Sequence, residues 1–340
     1  MSAASGACSV PWAEPPGSAA AGLRYDELHR RGPAGGWRPF AGIALLVALF
    51  FASQLALSVV VVLVLVLGGD TADQALDKLS GDEATPSFLA LVNLGWAAAI
   101  PAVWLVARVL HWQTPGWVTS VVGALRWRWL LTCLGLTLLS LLVTVGVSSL
   151  LPDQGAGSID TNGELNPWTS AVRDFLLVIV LLTPLQAAGE EYVFRGYLAQ
   201  AFGGLTRRLG SRVSAGVAVV VPALMFALAH GLGQDAPIFF DRFAFGLVAG
   251  TLVILTGGLE AGIAMHVLNN FLAFGVALAF SDMTTALNPT DGTWWSIPVT
   301  LTQSVSYLLL AVWAARRLGV VHRTGPSGGG AILERERADG

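Results

Sequence analysis

Long apolar windows alternate with short polar breaks along this chain, and the windows share a length. Wound as a helix, about 20 apolar residues span the ~30 Å hydrocarbon core of a bilayer. Eight such windows occur, near 41–68, 87–110, 129–151, 170–200, 213–232, 237–256, 259–280 and 295–315. The fourth is longer than a simple span. The pattern predicts an all-α fold, a polytopic transmembrane helix bundle of about eight spans. Residues 41–151 supply three N-terminal helices, 170–282 a second group of helices, and 295–315 the last span.

Composition agrees. Hydrophobic residues make up 54% of the chain and charged residues 12%, whereas a soluble domain is nearer a quarter charged. The net charge of −3 comes without a basic stripe interleaved with aromatics, so nucleic acid is not an expected partner. Cys8 and Cys133 make no disulfide framework. Basic residues other than Lys78 are arginines, which with many Ala and Gly fits a GC-rich bacterial source. Residues 1–40 are rich in Ala, Gly and Pro, lack the early apolar core of a signal peptide, and read as a disordered arm. Residues 318–340 read as a flexible tail.

Charge sets the orientation. The segments before the first window (Arg24, Arg30, Arg31, Arg38), between the second and third (Arg108, Arg126, Arg128), between the fourth and fifth (Arg207, Arg208, Arg212) and after the eighth (Arg316, Arg317, Arg323) are basic. The alternate loops hold Asp70, Asp73, Asp77, Asp82 and Glu83, then Asp153, Asp160 and Glu164, then Asp282 and Asp291. Positive charge gathers inside. An integral protein of the plasma (inner) membrane is expected, with both termini cytoplasmic. Trp127, Trp129, Trp294 and Trp295 suit the aromatic belts at span ends.

Three polar fragments interrupt the apolar helices: Glu190-Glu191-x-x-x-Arg195, Phe226-x-x-x-His230 and His266-x-x-x-Asn270. Residues four apart share a helix face, so Glu191 stacks with Arg195, Phe226 with His230 and His266 with Asn270. Adjacent residues point ~100° apart, which leaves Glu190 off the Arg195 face and free to act. Taken singly, either histidine reads as a packing residue and Glu191–Arg195 as a structural pair. Asp241 with Arg242, and Arg173 with Asp174, read as interfacial pairs. Together, ionisable groups in three apolar helices mark a functional site. Two carboxylates and two imidazoles also suit peptide-bond hydrolysis, which needs a base, a proton donor and groups to hold negative charge.

In order and spacing these fragments resemble the CAAX-protease and bacteriocin-processing (CPBP) family of intramembrane endopeptidases, also called type II CAAX prenyl proteases. The resemblance covers about 170–282, which it makes a CPBP-like catalytic core. It implies an all-helical membrane fold, a peptide or protein substrate at the membrane, and hydrolysis by the residues of the three motifs. One mechanism has Glu190 as general base, His230 positioning water, and His266 with Asn270 holding the oxyanion. The other makes Glu190, His230 and His266 ligands of a zinc ion, a ligand set known from catalytic zinc sites. The prenylated substrate of eukaryotic members does not transfer to a bacterial chain. A non-catalytic membrane scaffold or bacteriocin-immunity protein that binds a peptide is the alternative. A transporter is less favoured, because paired repeats and broken helices are not evident.

Overall fold

The structure is a computed structural model of the chain and describes residues 22–152, 164–231, 233–287, 289 and 292–325. Among these residues there is no β-strand; an isolated bridge joins Ser120 and Gly258. Eight helices are long and apolar enough to cross a membrane. They are α1 (Arg38–Leu67), α2 (Pro86–His111), α3 (Trp127–Ser148), α4 (Ser170–Glu191), α5 (Ser211–Ala229), α6 (Ala236–Thr256), α7 (Glu260–Phe280) and α8 (Ser296–Arg317). Each but the fourth coincides with one apolar window to within a few residues.

Local chemistry explains several starts. Thr85 caps α2 by accepting a hydrogen bond from the Phe88 amide, ahead of Pro86. Thr169 caps α4 through Val172, and Asp235 caps α6 through Ile238. A side-chain oxygen there satisfies one of the free amides of the first turn.

Helix α7 packs against α3, α4 and α6. Helix α2 lies against α4, with α1 outside it; α5 pairs with α6, and α8 closes on α3 and α6. The most apolar window of α1 has no residue buried within the protein, as expected of a helix whose surface faces lipid.

The long fourth window has a specific shape. Helix α4 continues through wide, π-type turns at Tyr192–Leu198 into Ala199–Thr206, and the whole stretch Ser170–Leu209 runs for 40 residues. At 1.5 Å per residue that is roughly 60 Å, about twice the hydrocarbon core. One end must therefore emerge from the bilayer and needs cover.

The segment before α1 provides it, and this corrects the expected disordered arm for residues 22–40. Tyr25–Arg31 form a tight 3-10 helix against Ala199–Thr206. Leu23, Tyr25 and Leu28 are buried, and the Tyr25 hydroxyl donates to the Val118 carbonyl. Its polar residues disguised a segment with a buried apolar face. Residues 1–21 of the arm lie outside the described residues, as do Cys8, Asp153, Asp160 and Asp291.

The start of the flexible tail is likewise held. Gly22 N donates to Thr324 O at 2.8 Å and Thr324 N to Leu23 O at 3.0 Å. Arg323 also donates to the Gly22 carbonyl. The two ends of the described chain thus meet on one side of the bundle, as an even number of crossings requires. Residues 326–340 lie outside the described residues.

Candidate active site

Glu190 and Glu191 end α4 where its turns begin to widen, and both are buried. Wide turns within helices are frequent at functional sites. Gly189 lets this point approach α2: a Cβ there would lie 2.0 Å from the Trp96 carbonyl oxygen.

Glu191 engages its partners through one oxygen, and its Oε2, like that of Glu190, is buried with no hydrogen-bond partner among the described residues. Its Oε1 accepts from Arg195 Nη1 at 2.9 Å and from His266 Nδ1 at 3.0 Å. Its Oε2 lies against Gly262, where a Cβ would stand 2.6 Å away. The Arg195 guanidinium, 1% exposed, lies 4.1 Å from the centre of the Phe226 ring and 5.5 Å from that of Phe245. The second motif's phenylalanine thus serves the first motif's arginine through a cation–π contact.

Glu190 is held differently. Its Oε1 accepts from Gln186 Nε2 at 2.5 Å, one turn back along α4. Gln186 Oε1 accepts in turn from Asn270 Nδ2 at 3.0 Å. An amide that donates with nitrogen and accepts with oxygen has its orientation set. Glu190 Oε2 is left buried with no hydrogen-bond partner among the described residues, 3.6 Å from His266 Nε2.

His266 therefore stands between the two glutamates. A carboxylate only accepts, so Nδ1 carries the hydrogen shared with Glu191, and Nε2 faces Glu190. His230 is the outlying member. It caps the end of α5, exposed, with Nδ1 2.8 Å from the Phe226 carbonyl oxygen. Phe226 touches both imidazoles, its ring centre 4.7 Å from that of His230 and 5.9 Å from that of His266.

The structure thus brings Glu190, Glu191, Arg195 and His266 into one cluster, joins Asn270 to it through Gln186, and sets His230 at its edge, against Phe226. His266 and Asn270 lie one turn apart on α7, and each reaches a different residue of α4. Gln186 was missed by the sequence reading, although its place four residues before Glu190 was a usable signal. The candidate zinc ligands Glu190, His230 and His266 do not assemble. Among the described residues no three His, Cys, Asp or Glu side chains are grouped to hold a metal ion. Zinc would need its ligand atoms ~2.0–2.2 Å away.

No solved structure matches the chain. YyaK of Bacillus subtilis (strain 168), an uncharacterized protein, is 22% identical over 234 residues, covering 69% of this chain and 75% of that protein. Residues 172–272 match the family model for type II CAAX prenyl endopeptidase Rce1-like proteins. The segment that carries all three motifs is thus similar to the Rce1-like family of type II CAAX prenyl endopeptidases.

Proposed function

We propose that this protein is an intramembrane endopeptidase that hydrolyses a peptide bond of a membrane-associated protein or peptide, with Glu190 as the base. The Rce1-like match supports a CAAX-type membrane protease in general terms. The observation that carries the residue assignment is the uncommitted Oε2 of Glu190, buried and 3.6 Å from His266 Nε2.

In this mechanism Glu190 Oε2 takes a proton from water. The hydroxide attacks the carbonyl carbon, and the carbonyl electrons move onto its oxygen. Asn270 has two amide hydrogens, and Gln186 takes one; the second is offered to the oxyanion, with any proton on His266 Nε2. When the tetrahedral intermediate collapses, the C–N bond breaks and Glu190 returns its proton to the leaving amine. Glu191 and Arg195 hold His266 rather than react. His230, at the exposed end of α5, orients incoming water. Preorganised donors of this kind act strongly because they need no rearrangement as charge develops. The reading includes plasma-membrane residence, a bacterial source and cytoplasmic termini, which the arginine-rich loops support.

The test uses the full chain purified in detergent and a pool of quenched fluorescent peptides, each tethered to an alkyl chain. Glu190→Ala and Glu190→Gln are expected to abolish cleavage while the protein still accumulates. Full cleavage by both variants overturns the assignment. A chain that never cleaves, yet retains partner binding in Glu190→Gln, would favour the scaffold reading. Loss of activity on chelation, restored by zinc, would replace the metal-free chemistry.

A further inference from the structure

Arg242 stands in the second turn of α6 beside Asp241, where the sequence suggests an interfacial ion pair. Its hydrogen bond leads elsewhere. Arg242 Nη1 donates to Gln234 Oε1 at 2.6 Å. Gln234 Nε2 donates to the carbonyls of Ala227 at 2.7 Å and Gly231 at 2.8 Å. Those carbonyls bracket His230, one from the last turn of α5 and one from the next residue. Asp235 anchors the far end of the same short segment, accepting from Ile238 N at 3.0 Å and Gly292 N at 2.6 Å. The backbone around His230 is therefore tied to a cation on the neighbouring helix.

The same guanidinium lies within electrostatic reach of Glu190, as well as of Asp241 and Asp235. His230 in turn is within reach of Glu190, Arg242 and His266. A half-buried arginine in an apolar bundle is costly to keep. This one reaches two members of the proposed site from an element that carries none of the three motifs.

We infer that Arg242 is a positioning residue of this site: through Gln234 it fixes where His230 stands. The inference rests on the hydrolase reading above, so its test has one arm that needs no catalysis. In a background of Cys8→Ser and Cys133→Ala, Gly233→Cys places a thiol where a Cβ has open space. Its maleimide labelling rate in the detergent-solubilised full chain reports how firmly the segment is held. Gln234→Ala and Arg242→Gln are expected to raise that rate several-fold, and Arg242→Lys to bring it back towards the unmodified value.

The second arm measures cleavage of the alkyl-tethered quenched peptides. A misplacement of about 1 Å can cost on the order of 100-fold in rate. We expect a loss of that size in kcat for Arg242→Gln and Gln234→Ala, with KM little changed and substantial recovery in Arg242→Lys. A purely structural arginine would lower abundance and leave the kcat of the surviving protein intact. Unchanged labelling, or wild-type kcat in Arg242→Gln, overturns the proposal. Should Arg242→Gln fail to accumulate, Gln234→Ala, which removes no charge, decides it by the same readings. If Glu190→Ala still cleaves, the hydrolase reading falls, while the labelling arm still reports whether Arg242 holds the segment.

Discussion

Gln186 leaves Glu190 one free oxygen by occupying the other, and that makes it the most informative residue to change. Gln186→Leu keeps the volume but removes both hydrogen bonds of the Asn270–Gln186–Glu190 chain. Leaving a buried polar group unpaired costs about 1–3 kcal/mol. We expect accumulation with modestly lowered thermal stability, and a fall in cleavage rate on the order of 10²-fold through misplacement of the base. A rate equal to wild type would show that Glu190 needs no such support. Arg195→Ala should act mainly on stability. It removes the cation facing Glu191, and stripping one partner from a buried pair costs roughly 3–5 kcal/mol. Thermal unfolding in detergent checks this. A fully stable but inactive variant would assign Arg195 to the chemistry. The ionisable members of this cluster were legible because charge in an apolar run is conspicuous. Gln186 was not, since a neutral amide there disturbs the pattern little. Nor was the service of Phe226 to Arg195, because periodicity along one helix says nothing of contacts across helices.

At the scale of elements, the eight apolar windows were readable because a bilayer imposes both length and composition. The short helix Tyr25–Arg31 was not, because four of its seven residues carry formal charge. Its docking brings a prediction of its own. His29 stacks on His111 with ring centres 3.7 Å apart, and neither of its nitrogens has a hydrogen-bond partner among the described residues. His111 Nε2 is engaged by the Tyr197 hydroxyl at 3.0 Å. Burial, then the neighbouring His111, lowers the His29 pKa well below the ordinary value of 6.5. The charges nearby are Asp26, Glu27, Arg24, Arg30 and Arg31 on its own segment and Arg38 at the start of α1; Asp26 is committed to Arg24 at 2.8 Å. The sign follows directly. The undocked segment binds a proton below about pH 6.5 and the docked one does not, so docking is at full strength above that pH and weakens as pH falls. The loss grows by up to about 1.4 kcal/mol per pH unit until the lowered pKa is reached. A spin label at Gly36→Cys should gain mobility on acidification below pH 6.5. His29→Phe, which keeps a stacking ring without a titrating nitrogen, should flatten the response. Equal mobility changes in both proteins would remove His29 as the cause.

For the molecule as a whole, orientation is the open test. The arginine distribution predicts that a cysteine label at Ser80 reacts from outside the cell and one at Gly210 does not. Reaction of Gly210 from outside would invert the whole bundle. The pairing of Leu23 with Thr324 carries a consequence in time. The two residues are separated by 301 positions along the chain. At about 5–20 residues per second of synthesis, the first waits roughly 15–60 s for the second to be made. During that interval all eight helices are produced, while Gly22 and Leu23 lack their final hydrogen-bond partners. Biogenesis therefore ends with a closure that joins the earliest described residues to the last. Ribosomes stalled short of residue 324 should hold a chain whose N-terminal segment is open to a soluble protease, and release of the finished chain should shut it.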